Sequence, residues 1–240
     1  MTDDSKSALQ VKRDERSATI IICREPKRNA LAPEHFRRLA ELLRELDADP
    51  KVRVIVITGK GDKAFCAGAD LSPERGFLRT LGQNKTTGLG DVLRASLQLS
   101  KPIIARVNGS CYAGGVGLLG CCNMVVAADN ASFGLPEIRF GLYPFVVTAA
   151  LRDRIAPLHL NALALTGRPI DAQTAMRIGL VSHVVPHFEL DRMVADLTSD
   201  LMQIPTGALR AAFSSFDRDA LAERIAQAEL QLRNFASGQE

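Results

Sequence analysis

Residues 52–71 read VRVIVITGKGDKAFCAGADL, and residues 102–120 read PIIARVNGSCYAGGVGLLG. Each opens on a compact run rich in β-branched residues, VRVIVIT at 52–58 and PIIARV at 102–107, which has the composition of a strand. Each then turns, at Gly59-Lys60-Gly61-Asp62 in the first case and at Asn108-Gly109 in the second. Small residues follow: Phe65-Cys66-Ala67-Gly68-Ala69-Asp70-Leu71, and Ser110-Cys111-Tyr112-Ala113-Gly114-Gly115. Small side chains let a ligand approach the backbone closely. N–H groups where a helix begins are unpaired and carry positive potential. Two such groups converging on one point would form an oxyanion hole; tight packing is the other reason for small residues there.

Outward from these segments the chain alternates strand and helix. ATIIIC (18–23) is a strand punctuated by EPKRNA (25–30). Pro33 then opens a helix in which Phe36, Leu39, Ala40, Leu43 and Leu46 recur at three- and four-residue spacing until Asp49-Pro50 ends it. Strand, helix, strand predicts a layered α/β fold. The polar, glycine-rich stretch 72–90 breaks any period and is expected to be a mobile segment with at most a short helix. Leu93–Leu99 resumes a helical pattern, and MVVAAD (124–129) is a further strand. From about 145 the chain is mostly helical, with helices expected at 145–153, 158–166, 171–179 (Asp171 as N-cap), 188–203 and 206–234, and a short strand at 180–185. The last helix carries Leu221, Ile225, Leu230, Leu232 and Phe235, which would pack within the monomer or against a neighbouring subunit. No Pro, Gly or Ser linker divides the chain. One domain is expected over 1–240, with an N-terminal lead at about 1–16, a core at about 17–187 and C-terminal helices at about 188–240.

Composition removes whole classes of function. Hydrophobic residues at 46% and charged residues at 24% exclude a disordered chain, a collagen and a coiled-coil rod. Thirty basic against 27 acidic residues leave a charge of only +3 and no basic stripe, and with no Trp there is little for nucleic-acid bases to stack on. No nucleic-acid partner is expected. The five cysteines (Cys23, Cys66, Cys111, Cys121, Cys122) are odd in number, fit no CxxC knuckle, and are expected to be reduced, buried thiols. The four histidines have no metal-ligand spacing, so no metal is expected. A polar, charged N-terminus and the lack of about 18 uninterrupted apolar residues predict a cytoplasmic protein with no membrane contact.

Gly115-Val116-Gly117-Leu118-Leu119-Gly120 is a literal GxGxxG. It stands seven residues beyond its strand, and Asp129 follows only nine residues after Gly120, so the dinucleotide fingerprint lacks its context. Close packing of a buried helix explains Gly117 and Gly120 better, and NAD(H) is not expected to bind. Glu137, in Phe133-Gly134-Leu135-Pro136-Glu137, is a carboxylate in an apolar, turn-forming run. If buried, its pKa would rise and it would shuttle protons near neutral pH.

The segments EPKRNAL (25–31), AFCAGADL (64–71), KPIIARVNG (101–109), SFGLPEIRFGL (132–142) and LTGRPIDAQTAMRIGLVSHVV (165–185) resemble, in order and spacing, the enoyl-CoA hydratase/isomerase (crotonase) superfamily, from about residue 17 to 205. The resemblance implies a spiral of repeated ββα units. It implies C-terminal helices that form a homotrimer, or a hexamer as a dimer of trimers. It implies a coenzyme A thioester as the ligand, with no permanently bound cofactor. By motif the oxyanion hole falls on the N–H groups of Ala67 and Gly114. Lys27, Arg28, Ala30 and Leu31, with Ala67, Gly68, Ala69, Asp70 and Leu71, stand where the family holds the CoA moiety; Tyr112, Gly115 and Pro136 stand beside the substrate. The chemistry agrees: removing a proton next to the thioester carbonyl makes an enolate, which each preorganised N–H donor stabilises by about 3–4 kcal/mol.

One departure matters. The family's hydratases use two glutamates, and the first of those positions falls on Gly117, while the second is Glu137. Isomerases that shift a double bond are similar to this pattern, because one acid/base suffices. The sequence therefore favours 3-enoyl- to 2-enoyl-CoA isomerisation with Glu137 as sole acid/base. The alternatives are a hydratase in which Glu74 or Asp91 replaces the missing group, and a homologue that binds acyl-CoA without turnover.

Overall fold

The structure is a computed structural model that describes residues 8–72, 85–215 and 218–238. Two sheets organise it. The larger has six strands: β1 (Leu9–Asp14), β2 (Ser17–Ile22), β3 (Val54–Gly59), β5 (Ile103–Val107), β7 (Met124–Ala128) and β10 (His183–Val185), adjacent in that order. Only the β1–β2 pair is antiparallel. The smaller sheet has the order β4 (Ala64–Cys66), β6 (Ser110–Tyr112), β8 (Ser132–Gly134) and β9 (Ile170–Asp171), with β9 antiparallel. Three times the chain leaves a strand of the first sheet, turns, and lays a three-residue strand into the second. The passages β3 to β4, β5 to β6 and β7 to β8 are the turns of a spiral, and the expected ββα repeat is observed.

The helices are α1 (Pro33–Ala48), α2 (Gly88–Leu97), α3 (Gly114–Leu119), α4 (Phe145–Leu151), α5 (Pro157–Thr166), α6 (Ala172–Arg177), α7 (Leu190–Gln203), α8 (Thr206–Ser214) and α9 (Arg218–Ala236). All six residues of β3 are buried, as a parallel strand covered on both faces requires. Alternation along the strand divides them between two cores. Ile55 and Ile57 join the large core with Leu39, Leu43 and Leu93, whereas Val54 and Val56 meet Leu190, Val194 and Leu201 of α7 on the other face. Asp171 caps α6 as expected, its carboxylate accepting from the Thr174 N–H at 2.7 Å.

Three expectations change. Leu9–Asp14, counted with the N-terminal lead, pairs residue by residue with β2. The strands of the second sheet are too short, and too rich in small residues, to announce themselves in the sequence. The single helix expected over 206–234 is two, α8 and α9; where α8 ends, the Ser214 and Ser215 hydroxyls bond the carbonyls of Ala211 and Ala212, competing with the helix. Within the glycine-rich stretch, residues 73–84, and with them Glu74, lie outside the described residues. The remainder enters α2 at Thr87, whose hydroxyl accepts from the Gly90 N–H. No described helix is long and apolar enough to cross a membrane.

α9 packs back onto α2 and α4 of its own chain through Ile225, Ala228 and Leu232. Glu229, only 3% exposed, fixes it there. The Glu229 carboxylate accepts from the Thr87 N–H (2.6 Å), the Thr87 hydroxyl (2.9 Å) and the Arg94 guanidinium (2.9 Å).

Candidate active site

The loop after β4 and the start of α3 abut because glycine permits it. Gly68 has φ +92°, and a Cβ there would stand 2.7 Å from Ala113 Cβ and 2.8 Å from Gly114 N. Gly115 likewise leaves no room for a Cβ against the Cys66 carbonyl. Ala113 itself sits at φ +52°, a strained value for a residue with a side chain, at the position that caps α3. A turn at 24–31 holds the loop from the other side. Arg28 and Asn29 are left-handed (φ +49° and +58°), and the Asn29 amide bonds Lys60 O and Ala64 O. Asp70, 3% exposed, receives Arg24 (2.9 Å), Lys27 (3.1 Å) and the Ser72 N–H (3.0 Å). Burial opposes its charge, yet these donors win and hold its pKa well below the usual carboxylate range.

This frame corrects the assignment of the first oxyanion donor. The Ala67 N–H already donates to the Arg28 carbonyl at 3.0 Å. Two residues on, Leu31 and Asp70 bond across Ala69: the Leu31 N–H donates to Gly68 O (2.8 Å) and the Asp70 N–H to Leu31 O (2.9 Å). Among the described residues no hydrogen bond engages the N–H of Ala69 or of Gly114. A Cβ on Gly114 would stand 3.8 Å from Ala69 N, so the two amides belong to abutting segments. The Asp70 carboxylate is engaged by Arg24 and Lys27 of the 24–31 turn and by the Ser72 N–H.

A cavity of about 380 Å³ lies against this junction. Of the predicted residues it brings together Leu31, Ala67, Ala69, Leu71, Tyr112, Gly114, Pro136 and Glu137. Lys27, Arg28, Ala30, Gly68, Asp70 and Gly115 are outside its wall: Lys27 and Arg28 are exposed, and Gly68 and Gly115 act through close backbone approach. Sequence reasoning missed the apolar side of the cavity, including Phe36, Leu89, Leu142, Phe145, Val147 and Leu232. Phe36, Phe145, Val147 and Leu232 lie in helical stretches that read as ordinary core, Leu89 in the glycine-rich stretch without a period and Leu142 in a loop, and nothing local distinguishes a core face from a cavity wall.

Glu137 is the second residue of the 3₁₀ turn Pro136–Phe140 that follows β8. Its Oε2 is buried without a hydrogen-bond partner among the described residues. Burial pushes its pKa up to about 7, its own backbone N–H offsetting this only in part. Gly117 lies one turn into α3, and a Cβ there would stand 2.5 Å from Leu89 Cδ2 and 3.2 Å from Val147 Cγ2. Apolar side chains therefore pack against the position where a second carboxylate would project. Asp91 offers no substitute, since it pairs with Arg94 at 2.7 Å and does not line the cavity. The Tyr112 hydroxyl is engaged with Ser132 at 2.9 Å. Burial raises the pKa of the nearby Cys66 thiol to about 12, which removes it as a nucleophile.

Two unengaged amides beside one buried, proton-poised carboxylate, carried on a ββα spiral, define an acid–base site suited to an oxygen that becomes anionic. The sequence profile of the enoyl-CoA hydratase/isomerase family matches residues 13–240. The chain belongs to that family, the crotonase superfamily. Among curated relatives it is 33% identical to the carnitinyl-CoA dehydratase of Proteus mirabilis over 204 residues, 80% of this chain and 75% of that one. It is 36% identical to the crotonyl-CoA hydratase of Syntrophomonas wolfei over 185 residues (75% and 70%), and 32% identical to the hydroxycinnamoyl-CoA hydratase-lyase of Pseudomonas fluorescens over 219 (88% and 78%). Among solved structures, the enoyl-CoA hydratase of Mycobacterium avium superposes with a TM-score of 0.82 at 28% identity, covering 97% of this chain and 98% of that one.

Proposed function

We propose that this enzyme binds an acyl-CoA thioester and isomerises its 3-enoyl form to the 2-enoyl form with Glu137 as the sole acid/base. The Glu137 carboxylate takes a proton from C2. The electron pair moves onto the thioester oxygen, where the N–H groups of Ala69 and Gly114 stabilise the enolate by about 3–4 kcal/mol each. The double bond re-forms between C2 and C3 as Glu137 returns the proton at C4. A pKa of about 7 suits one group to both steps at neutral pH. The observation that carries the proposal is the packing of Leu89 and Val147 at Gly117, which leaves a single carboxylate in the cavity wall among the described residues. The exposed cations Lys27 and Arg28 suit the phosphates of CoA, with no cofactor bound permanently.

The test is turnover of matched 3-enoyl- and 2-enoyl-CoA thioesters by purified enzyme, followed through the absorbance of the conjugated thioester. Isomerisation faster than hydration is the expected result; brisk hydration with no isomerisation overturns it. Hydration is the second reading, favoured by relatives named as hydratases and dehydratases. It requires a further acid/base from outside the described cavity wall. For assembly we propose a homotrimer or a dimer of trimers, since Phe140 (64% exposed), Leu158 (78%) and Leu165 (61%) leave large apolar groups in water. Sedimentation equilibrium at micromolar concentration tests this, and a clean monomer contradicts it.

A further inference from the structure

We infer that the acyl group this site accepts is uncharged, apolar and longer than four carbons, and that Leu89, Val147 and Leu232 set that preference. The inference rests on the acyl-CoA reading above but not on the reaction catalysed.

The polar side chains of the described cavity wall are Thr87, Tyr112, Glu137 and Tyr143. The Thr87 hydroxyl is committed to Glu229 and Gly90, and that of Tyr112 to Ser132. Glu137 is the proton carrier. Tyr143 alone offers a polar atom to an acyl tail, and no Lys, Arg or His lines the cavity among the described residues. A charged tail would be desolvated there without a counter-charge, a cost far above any gain from burying its methylenes.

The wall is built to be apolar. Gly117 follows Gly114 by three residues of α3, about 4.5 Å along the helix axis at 1.5 Å per residue. Leu89 and Val147, which meet it there, therefore stand beside the reacting end of a bound thioester. Leu232 closes the same cavity from α9, a helix tied by Glu229 to Thr87 at the start of the segment carrying Leu89. At about 30 Å³ per water-sized group, 380 Å³ holds about a dozen such groups. A butanoyl thioester fills about half of that; what remains is shared between the CoA arm, on the Leu31, Ala69 and Leu71 side, and further methylenes among the apolar side chains.

Calorimetry with saturated thioesters tests this without turnover. Each buried methylene is worth about fourfold in affinity, so octanoyl-CoA is expected to bind at least tenfold more tightly than butanoyl-CoA. Succinyl-CoA and carnitinyl-CoA, with charged tails, are expected to bind at least tenfold more weakly than octanoyl-CoA. Val147→Thr, nearly isosteric, puts a hydroxyl beside the reacting end of either chain and should lower the affinity for octanoyl- and butanoyl-CoA alike, about fivefold. Equal affinity for butanoyl- and octanoyl-CoA, or a charged tail bound as tightly as octanoyl, overturns the inference. Octanoyl preference with no turnover of any enoyl thioester would remove the proposed reaction and leave this inference standing. No binding of any thioester would overturn both.

Discussion

Replacing Glu137 with Gln tests its burial and its chemistry together, with opposite effects on stability and rate. Burial shifts the Glu137 carboxyl from the ordinary 4.5 to about 7. Over that window the folded protein holds a proton that the unfolded chain has released. Its contribution to stability is full below pH 4.5 and is lost as pH rises through 7. Each pH unit crossed amounts to about 1.4 kcal/mol, so the whole window amounts to about 3 kcal/mol. Gln carries no ionisable group, and Glu137→Gln should escape that loss. Near pH 4.5 and below, both proteins are neutral at this position and should melt together. For a chain of this size about 1 kcal/mol moves the melting temperature by about 2–4 °C. The variant should therefore gain roughly 5–10 °C over wild type as pH rises from 5 to 8.5, read by differential scanning calorimetry at several pH values. The same variant should lose 10²–10⁴-fold in turnover, while wild-type kcat/KM should rise with pH through an apparent pKa near 7. A melting difference that stays flat with pH would show that the carboxyl is not desolvated in the free protein. Unchanged turnover would remove Glu137 as the acid/base.

Gly68→Ala places a methyl 2.8 Å from Gly114 N at a φ of +92°, and should cut kcat by at least tenfold in steady-state assays by pushing the two amides apart. Glu229→Gln keeps acceptors for Thr87 but loses the charge facing Arg94, and should destabilise by about 1–3 kcal/mol in urea denaturation. Gly117→Glu alone meets Leu89 at 2.5 Å and should add no hydratase activity, whereas Gly117→Glu with Leu89→Ala should raise hydration of 2-enoyl-CoA above the wild-type rate. Hydration raised by Gly117→Glu alone would show that Leu89 yields freely.

Most of the spiral was written in local patterns. Long β-branched runs gave β2, β3, β5 and β7, and three- and four-residue spacing gave α1 together with the Pro33 start. These signals are strong because a strand buried on both faces or an amphipathic helix repeats its demand at every second or every third to fourth residue. Glu137 also stood out, as a lone carboxylate in an apolar run, and Gly117 as the missing half of a pair.

Three-residue strands such as β4, β6 and β8 repeat nothing; they exist because parallel partners distant in sequence pair with them. Choosing between Ala67 and Ala69 depended on a carbonyl from the 24–31 turn, which takes up one amide and passes over the other. The packing of Leu89 and Val147 at Gly117 joins three helices that no spacing rule connects. Residue types and periodicity are properties of neighbours along the chain, and they fixed the elements and the candidate carboxylate. Which amide stays unengaged, which glycine is closed off and what lines the cavity are properties of neighbours in space, and they exist only once the spiral has closed.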